Sequence, residues 1–97
     1  MTKIKMTYHV QEDRIERMTA IATTVGFGKP IIQKIHNGAR KQLTTTGIIL
    51  VKAPDEEVLI TLYAGSYQQI ARMMNGRVTK EMKKIIQRNQ ELGLIGR

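Results

Sequence analysis

The chain has 97 residues, of which 41% are hydrophobic and none is cysteine, and its 16 lysine and arginine residues against 8 acidic ones give a formal net charge of +8. This length leaves room for one domain over residues 1–97, and the lack of cysteine excludes a disulfide framework and a thiolate zinc site. No apolar run approaches the roughly 20 residues of a membrane-spanning helix, and residues 1–5 lack the apolar stretch of a signal peptide, so we expect a soluble cytoplasmic protein without a membrane partner.

The first predicted elements are a strand and a helix. Residues 3–10 alternate apolar and polar side chains, which predicts a half-buried strand whose wet face carries Lys3, Lys5 and His9. Over residues 11–25 the apolar side chains recur every three or four positions instead, which predicts an amphipathic helix. Each element has one apolar side, so both need a common core to pack on.

A second helix is predicted after residue 29. Pro30 suits the first turn of a helix, and Asn37-Gly38 suits its end. Its apolar face would consist of Ile31, Ile32, Ile35 and Ala39. His36 lies in this segment without a partner at metal-ligand spacing, so neither a metal site nor another cofactor is expected.

A central hairpin is the strongest structural signal in the chain. Two runs rich in β-branched residues flank a Pro-Asp turn at residues 54–57, which predicts an antiparallel hairpin over residues 47–64. A register that places Ile49 opposite Ile60 would give the hairpin one wholly apolar face. Residues 42–46 could add a further strand to the sheet.

Two capped helices are predicted at the C-terminal end. Ser66 and Gln69 have the spacing of a capping box at the start of a two-turn helix, and Thr79 can cap a last helix that ends at Gly93. Together, the elements predict an α+β fold in which a small antiparallel sheet of three to four strands packs against about four helices.

Positive charge is concentrated in the last third of the chain. Residues 66–97 carry seven basic and two acidic residues, whereas residues 1–65 carry nine basic and six acidic ones. A positive excess at one end predicts a surface for a polyanion, and therefore a nucleic-acid partner, RNA or DNA. The residues expected to contact phosphate are Lys3, Lys5, Lys41, Arg72, Arg77, Lys80, Lys83, Lys84 and Arg88.

The last two predicted helices contain the segment Gln69-Ile70-Ala71, in which the small Ala71 suits a close helix crossing. This segment resembles the helix-turn-helix of DNA-binding regulators. The resemblance implies a DNA-binding regulator whose second helix turns its basic residues toward a groove or the DNA backbone.

The order of the elements carries a second resemblance. A strand with His9 is followed by two helices and by a hairpin that ends in Leu59-Ile60-Thr61-Leu62-Tyr63. This layout is similar to that of the barnase, colicin and RelE-like superfamily of bacterial ribonuclease toxins, and of related small phage and mobile-element proteins. The resemblance implies RNA cleavage through the ribose 2′-hydroxyl without a metal. It implies His9, Thr61 and Tyr63 as catalytic residues, with Lys3, Lys5 or Lys41 as phosphate ligands.

Methionine supplies a third hypothesis. Six methionines, including Met73, Met74 and Met82, could form a soft surface for a partner protein or fill an irregular core. The sequence as a whole predicts a small basic nucleic-acid-binding protein of phage or plasmid type, with RNA as one target. The alternatives are a helix-turn-helix regulator and a non-catalytic inhibitor or adaptor that binds a host protein. Catalysis and a homodimer both stay open.

Overall fold

The structure is a computed structural model that describes residues 5–6 and 12–95. In chain order its elements are β1 (Lys5–Met6), α1 (Glu12–Thr24), β2 (Pro30–His36), β3 (Ala39–Thr44), β4 (Ile48–Lys52), β5 (Val58–Ala64), α2 (Tyr67–Met73) and α3 (Lys80–Glu91). The strands form one sheet in the order β1-β5-β4-β3-β2, in which β2 to β5 are antiparallel to one another and β1 lies parallel to β5. The fold is therefore α+β, as predicted.

The segment from Pro30 to His36 corrects the prediction of a helix, because it forms the edge strand β2. Asn37-Gly38 is the turn of a hairpin with β3 and not a helix end. Both turn residues have positive φ, 51° and 75°, as a type I′ turn requires, and this turn matches the twist of antiparallel strands. The Asn-Gly signal thus outweighs the helical spacing of the isoleucines. The described residues contain three helices instead of about four.

The central hairpin is confirmed, with β4 and β5 on either side of its turn. Its register differs from the predicted one, because Ile49 lies opposite Tyr63 instead of Ile60. An odd shift, here of three residues, exchanges the two faces of a strand. The shift brings the Tyr63 side chain to the face on which Ile49 points toward α2.

Helices cover both faces of the sheet, so the central strand β4 is buried along its whole length. On one face, α1 packs against a core made of Ile21, Ile48, Leu50, Leu59, Leu62, Ala64 and Leu94. On the other face, α2 and α3 pack into a core made of Leu43, Ile49, Val51, Ile70, Met73, Met82 and Ile86. Met73 and Met82 therefore fill the core, which is the second of the two roles considered for the methionines.

The two C-terminal helices begin at the predicted caps. The Ser66 hydroxyl accepts a hydrogen bond from the Gln69 N–H at 3.2 Å, and the Gln69 side chain accepts one from the Ser66 N–H at 2.9 Å. At the start of α3, the Thr79 hydroxyl accepts from the Met82 N–H at 3.1 Å. Each helix of the described segments is too short or too polar to span a bilayer.

Asn89 fixes α3 against the turn between β3 and β4. Its side chain is fully buried, and its amide nitrogen donates to the Thr46 carbonyl oxygen at 3.0 Å. Gly47 makes this close approach feasible, because its φ is +79° and an added Cβ would lie 2.9 Å from Ile85 Cγ2.

Candidate functional site

Two lysines lie directly opposite each other on neighbouring strands. Lys34 of β2 pairs with Lys41 of β3, and both side chains are only partly exposed. Opposite side chains on one face of an antiparallel pair have Cβ atoms about 4.5–5.5 Å apart, and like charges at this position destabilise the pair. Lys41 shares its face with Leu43, two residues further on, which packs under the C-terminal helices. The sheet thus concentrates positive charge on the side that α2 covers.

A pocket of about 350 Å³ opens between this part of the sheet and α2. Its lining consists of Lys34, Ile35, His36, Lys41, Ile49, Tyr63, Gln69, Arg72 and Met73. Three of these side chains carry a permanent positive charge, and none of them is acidic. Arg72 brings the third charge from the last turn of α2. The pocket is therefore an electropositive cavity between one helix and the strands beneath it.

Lys34 holds the two walls of the pocket together. Its ammonium group donates to the Arg72 carbonyl oxygen at 2.9 Å and to Asn75 Oδ1 at 2.6 Å. Carbonyl groups at the C-terminal end of a helix carry partial negative charge, which favours a cation there. The contact ties the edge strand β2 to the end of α2. Lys34 is therefore both a structural tie and a charge in the wall.

Other hydrogen-bond donors in the pocket have no partner within the described chain. The Lys41 ammonium, the Arg72 guanidinium and the Tyr63 hydroxyl form neither a hydrogen bond nor an ion pair with any described residue. Burial raises the pKa of the Tyr63 phenol, so its hydroxyl keeps the proton and stays a donor at neutral pH. A cavity with several donors and no carboxylate favours an anionic ligand.

Three of the predicted site residues meet in this pocket, namely Lys41, Tyr63 and Arg72. Thr61 lies on the same face of β5 as Tyr63, two residues away, but it does not line the pocket. Of the three residues predicted to be catalytic, Tyr63 is the one that lines the pocket among the described residues.

Of the N-terminal candidates, Lys5 is the one that falls within the described residues. Lys5 lies in β1, which pairs with β5 at the edge of the sheet opposite to β2. Lys3 and His9 lie outside the described residues. Their suggested roles as phosphate ligand and catalytic group therefore stay predictions from the sequence.

The remaining predicted phosphate contacts form a second group on α3 and the loop before it. The exposed members are Arg77, Lys80, Lys83, Lys84 and Arg88. Because Met82, Ile86 and Asn89 face inward, the lysines of α3 point to solvent. The guanidinium of Arg88 also lies 3.4 Å from the Thr46 carbonyl oxygen. Residues 74–79 separate α2 from α3, a longer connection than the three or four residues of a typical helix-turn-helix.

Sequence reasoning missed Lys34, His36 and Gln69 as site residues. It placed the first two on a helix, where residues two positions apart do not face each other. On a strand, residues i and i+2 share a face, so Lys34 and His36 line the same pocket. The Asn-Gly turn was the signal that could have revealed this, because it predicts the hairpin that sets Lys34 opposite Lys41.

A second like-charged pair lies on the other face of the sheet and shares strand β3 with the first. Arg40 of β3 is opposite Lys52 of β4. Glu57 accepts from both, at 3.0 Å from Arg40 Nη2 and 2.9 Å from Lys52 Nζ. The hydrogen bonds from Lys52 and Arg40 hold the pKa of the Glu57 carboxyl below its ordinary value. One acid thus contacts both cations and offsets one of their two charges.

The chain matches no protein-family model, no curated protein and no solved structure. In residues 5–6 and 12–95, no group of His, Cys, Asp or Glu side chains is arranged to hold a metal ion. The functional argument therefore depends on the chemistry of the pocket and of the exposed face of α3.

Proposed function

We propose that the protein binds nucleic acid through phosphate contacts made in the pocket and on α3. The observation that carries this proposal is the pair Lys34 and Lys41, which stand opposite each other beside Arg72 in a pocket whose described lining contains no acid. An anion bound between them would replace repulsion with attraction. Lysine and arginine contacts to phosphate supply most of the affinity of proteins for nucleic acids.

The exposed residues of α3 support the same proposal from a second place. Lys80, Lys83 and Lys84 extend into solvent without an ion pair to a described residue. A strand held in the pocket needs further cations along its backbone, because each nucleotide adds a phosphate. The net charge of +8 would in addition steer a polyanion toward the protein.

Salt dependence tests this proposal directly. The affinity of labelled single-stranded RNA, single-stranded DNA and duplex DNA would be measured by fluorescence anisotropy between about 50 and 200 mM salt. We expect a steep loss of affinity whose slope corresponds to roughly three to six phosphate contacts. An affinity that does not change with salt would reject the electrostatic account.

Charge-removing variants locate the contacts. The double variant K41Q/R72Q should weaken binding and reduce the salt slope, and K83Q/K84Q should do the same for the α3 contacts. Lys29 offers a matched control, because it is an exposed lysine at the other end of β2 and its side chain has no partner among the described residues. If K29Q lowered affinity as much as K41Q/R72Q, the charge would act globally and not through the pocket. Duplex binding lost only in K83Q/K84Q would favour the helix-turn-helix regulator.

Metal-independent RNA cleavage is a second candidate, favoured by two groups in the pocket that can exchange protons. The His36 imidazole and the Tyr63 hydroxyl line the same cavity as three cations. Cleavage by the ribose 2′-hydroxyl needs a base, an acid and cations that stabilise the extra phosphate charge. The layout on which the resemblance to ribonuclease toxins was based is changed, because Pro30–His36 is a strand, so this candidate depends on the pocket groups alone.

Incubation of total RNA with purified protein in the presence of a chelator tests cleavage. H36A and Y63F should change the fragment pattern if these residues transfer protons, and H9A tests the residue suggested by the sequence. A pattern equal to that of buffer alone would leave nucleic-acid binding as the function.

A further inference from the structure

We propose that the pocket takes a single unpaired nucleotide, with its phosphate on the cationic side and its base on the apolar floor. This inference rests on the proposed function and names the form of nucleic acid that the site accepts. It predicts a preference for single strands over duplexes.

The lining of the pocket combines two kinds of surface. Lys41 and Arg72 present unpartnered cationic donors, whereas Ile49 and Met73 are buried core residues that reach the cavity from below and beside it. A site for phosphate alone would have no use for an apolar floor, because a phosphate is fully polar. A nucleotide carries an anion and a flat, largely apolar ring system in one unit, and so matches both surfaces.

Tyr63 and Gln69 supply the polar contacts that a base edge requires. The Tyr63 hydroxyl has no partner in the described chain, and its pKa is raised by burial, so it remains a donor. The Gln69 carbonyl oxygen is used by the helix cap, which leaves the amide hydrogens of the same side chain. In the proposed complex, these donors would form hydrogen bonds with acceptor atoms of the bound base, such as its carbonyl oxygens and ring nitrogens.

The dimensions of the pocket limit the occupant to one nucleotide. Its volume of about 350 Å³ lies at the lower end of the range of roughly 300–1,000 Å³ found for small-ligand sites. A base in a duplex is paired and stacked, and its extrusion costs a few kcal/mol. The pocket therefore selects a strand whose bases are already unpaired. A site for one base needs only one aromatic ring to contact it. The pocket is therefore compatible with a chain that has three tyrosines, one phenylalanine and no tryptophan.

Titration of the protein with fragments of a nucleotide tests the inference. Adenosine 5′-monophosphate, uridine 5′-monophosphate, adenosine and inorganic phosphate would each be titrated into ¹⁵N-labelled protein and followed by NMR. We expect both monophosphates to bind at least about tenfold more tightly than adenosine or phosphate alone. The shifts should centre on Gln69, Arg72 and Lys41, and K41Q should weaken binding of the monophosphates while K29Q does not.

Each outcome decides the question. Equal affinities for phosphate and for the monophosphates would overturn the inference, because the base would contribute nothing to binding. Chemical shift changes that centre on α3 would also overturn the inference. A third contrary result is that the monophosphates fail to bind while oligonucleotides bind with a steep salt dependence, and this result would leave the proposed function standing. Monophosphate binding in the pocket without any oligonucleotide binding would support the nucleotide site and reject the proposed function.

Discussion

The two like-charged pairs of the sheet share strand β3, lie on opposite faces and differ in one respect. Arg40 and Lys52 converge on Glu57, which accepts from both. Lys34 and Lys41 are paired in the same way between neighbouring strands, yet neither forms an ion pair with an acid of the described chain. Both arrangements would be unfavourable in isolation, since like charges directly opposite each other repel. Within residues 5–6 and 12–95, only the first pair has an acidic counter-charge.

This difference separates a structural charge from a charge available to a ligand. The side chain of Lys52 is 8% exposed and that of Arg40 is 16% exposed, so Glu57 satisfies cations that water barely reaches. The Lys41 side chain is partly exposed and borders a cavity. Under the proposed function, a polyanion would do at the pocket what Glu57 does on the opposite face. Counting lysines and arginines cannot distinguish the two cases, because the distinction depends on which acid lies nearby.

The largest expected effect on stability comes from removing the charge of Glu57, the acid that contacts Arg40 and Lys52. E57Q keeps the size of the side chain but leaves buried Lys52 beside Arg40 without a counter-charge, and an unpaired buried charge is strongly destabilising. The urea midpoint and Tm should both fall markedly, with an unchanged m-value. E56Q is the matched control, since Glu56 lies in the same turn and its carboxylate forms no ion pair with a described residue.

A double-mutant cycle completes this test. K52M/E57Q should be less destabilised than the sum of the two single variants, because methionine removes the charge that glutamine leaves unpaired. If E57Q unfolded at the same urea concentration as E56Q, the contacts of Glu57 with Arg40 and Lys52 would not stabilise the fold. The comparison between this pair and the pocket would then have no basis.

The pH dependence of stability should follow from the same carboxylate. The pKa of Glu57 is lowered in the folded state from its ordinary value of 4.5, first by Lys52 and then by Arg40. The folded protein therefore binds fewer protons than the unfolded chain, and the stabilisation is complete above pH 4.5 and lost as the pH falls through the lower folded value. Urea midpoints of wild type and E57Q should differ at neutral pH and converge under acid conditions. A difference that persisted at pH values below both pKa values would assign the effect to something other than ionisation.

Much of the fold was predictable because local signals agreed with the tertiary structure. The caps at Ser66 and Thr79 and the Pro-Asp turn between β4 and β5 each specify an element by themselves. The segment from Pro30 to His36 was misassigned because isoleucines at spacings of one and three fit a helix or an exposed edge strand equally well. There the turn chemistry of Asn37-Gly38 decides, and local propensity does not.

The candidate site was less predictable than the fold. Lys41, Tyr63 and Arg72 were chosen for charge or for their place in a layout, and the pocket brings them together. Lys34 and His36 reach it only because β2 is a strand in register with β3. Cross-strand register and the gap under α2 are tertiary properties, and a single sequence contains no direct record of them.

A smaller effect should distinguish the two members of the open pair. K34M removes the hydrogen bonds to the Arg72 carbonyl oxygen and to Asn75 Oδ1, which join β2 to α2. It also relieves the repulsion with Lys41, so we expect a net loss of about 1 kcal/mol in the free energy of unfolding. Chemical denaturation measures this, with K29M as the control for a lysine without such contacts. A variant as stable as K29M would show that the tie between β2 and α2 contributes nothing.

The smallest expected change in stability has the opposite sign. K41Q loses no hydrogen bond within the described chain and removes the charge that faces Lys34, so the free energy of unfolding should rise by about 0.2–1 kcal/mol. The same variant should bind single-stranded nucleic acid more weakly, and the two measurements belong together. A substitution that stabilises the fold while it impairs binding is the expected behaviour of a residue kept for its ligand. If K41Q were instead less stable than wild type, Lys41 would have a structural partner. The Lys34 and Lys41 pair would then be no more available to a ligand than Arg40 and Lys52, which contact Glu57.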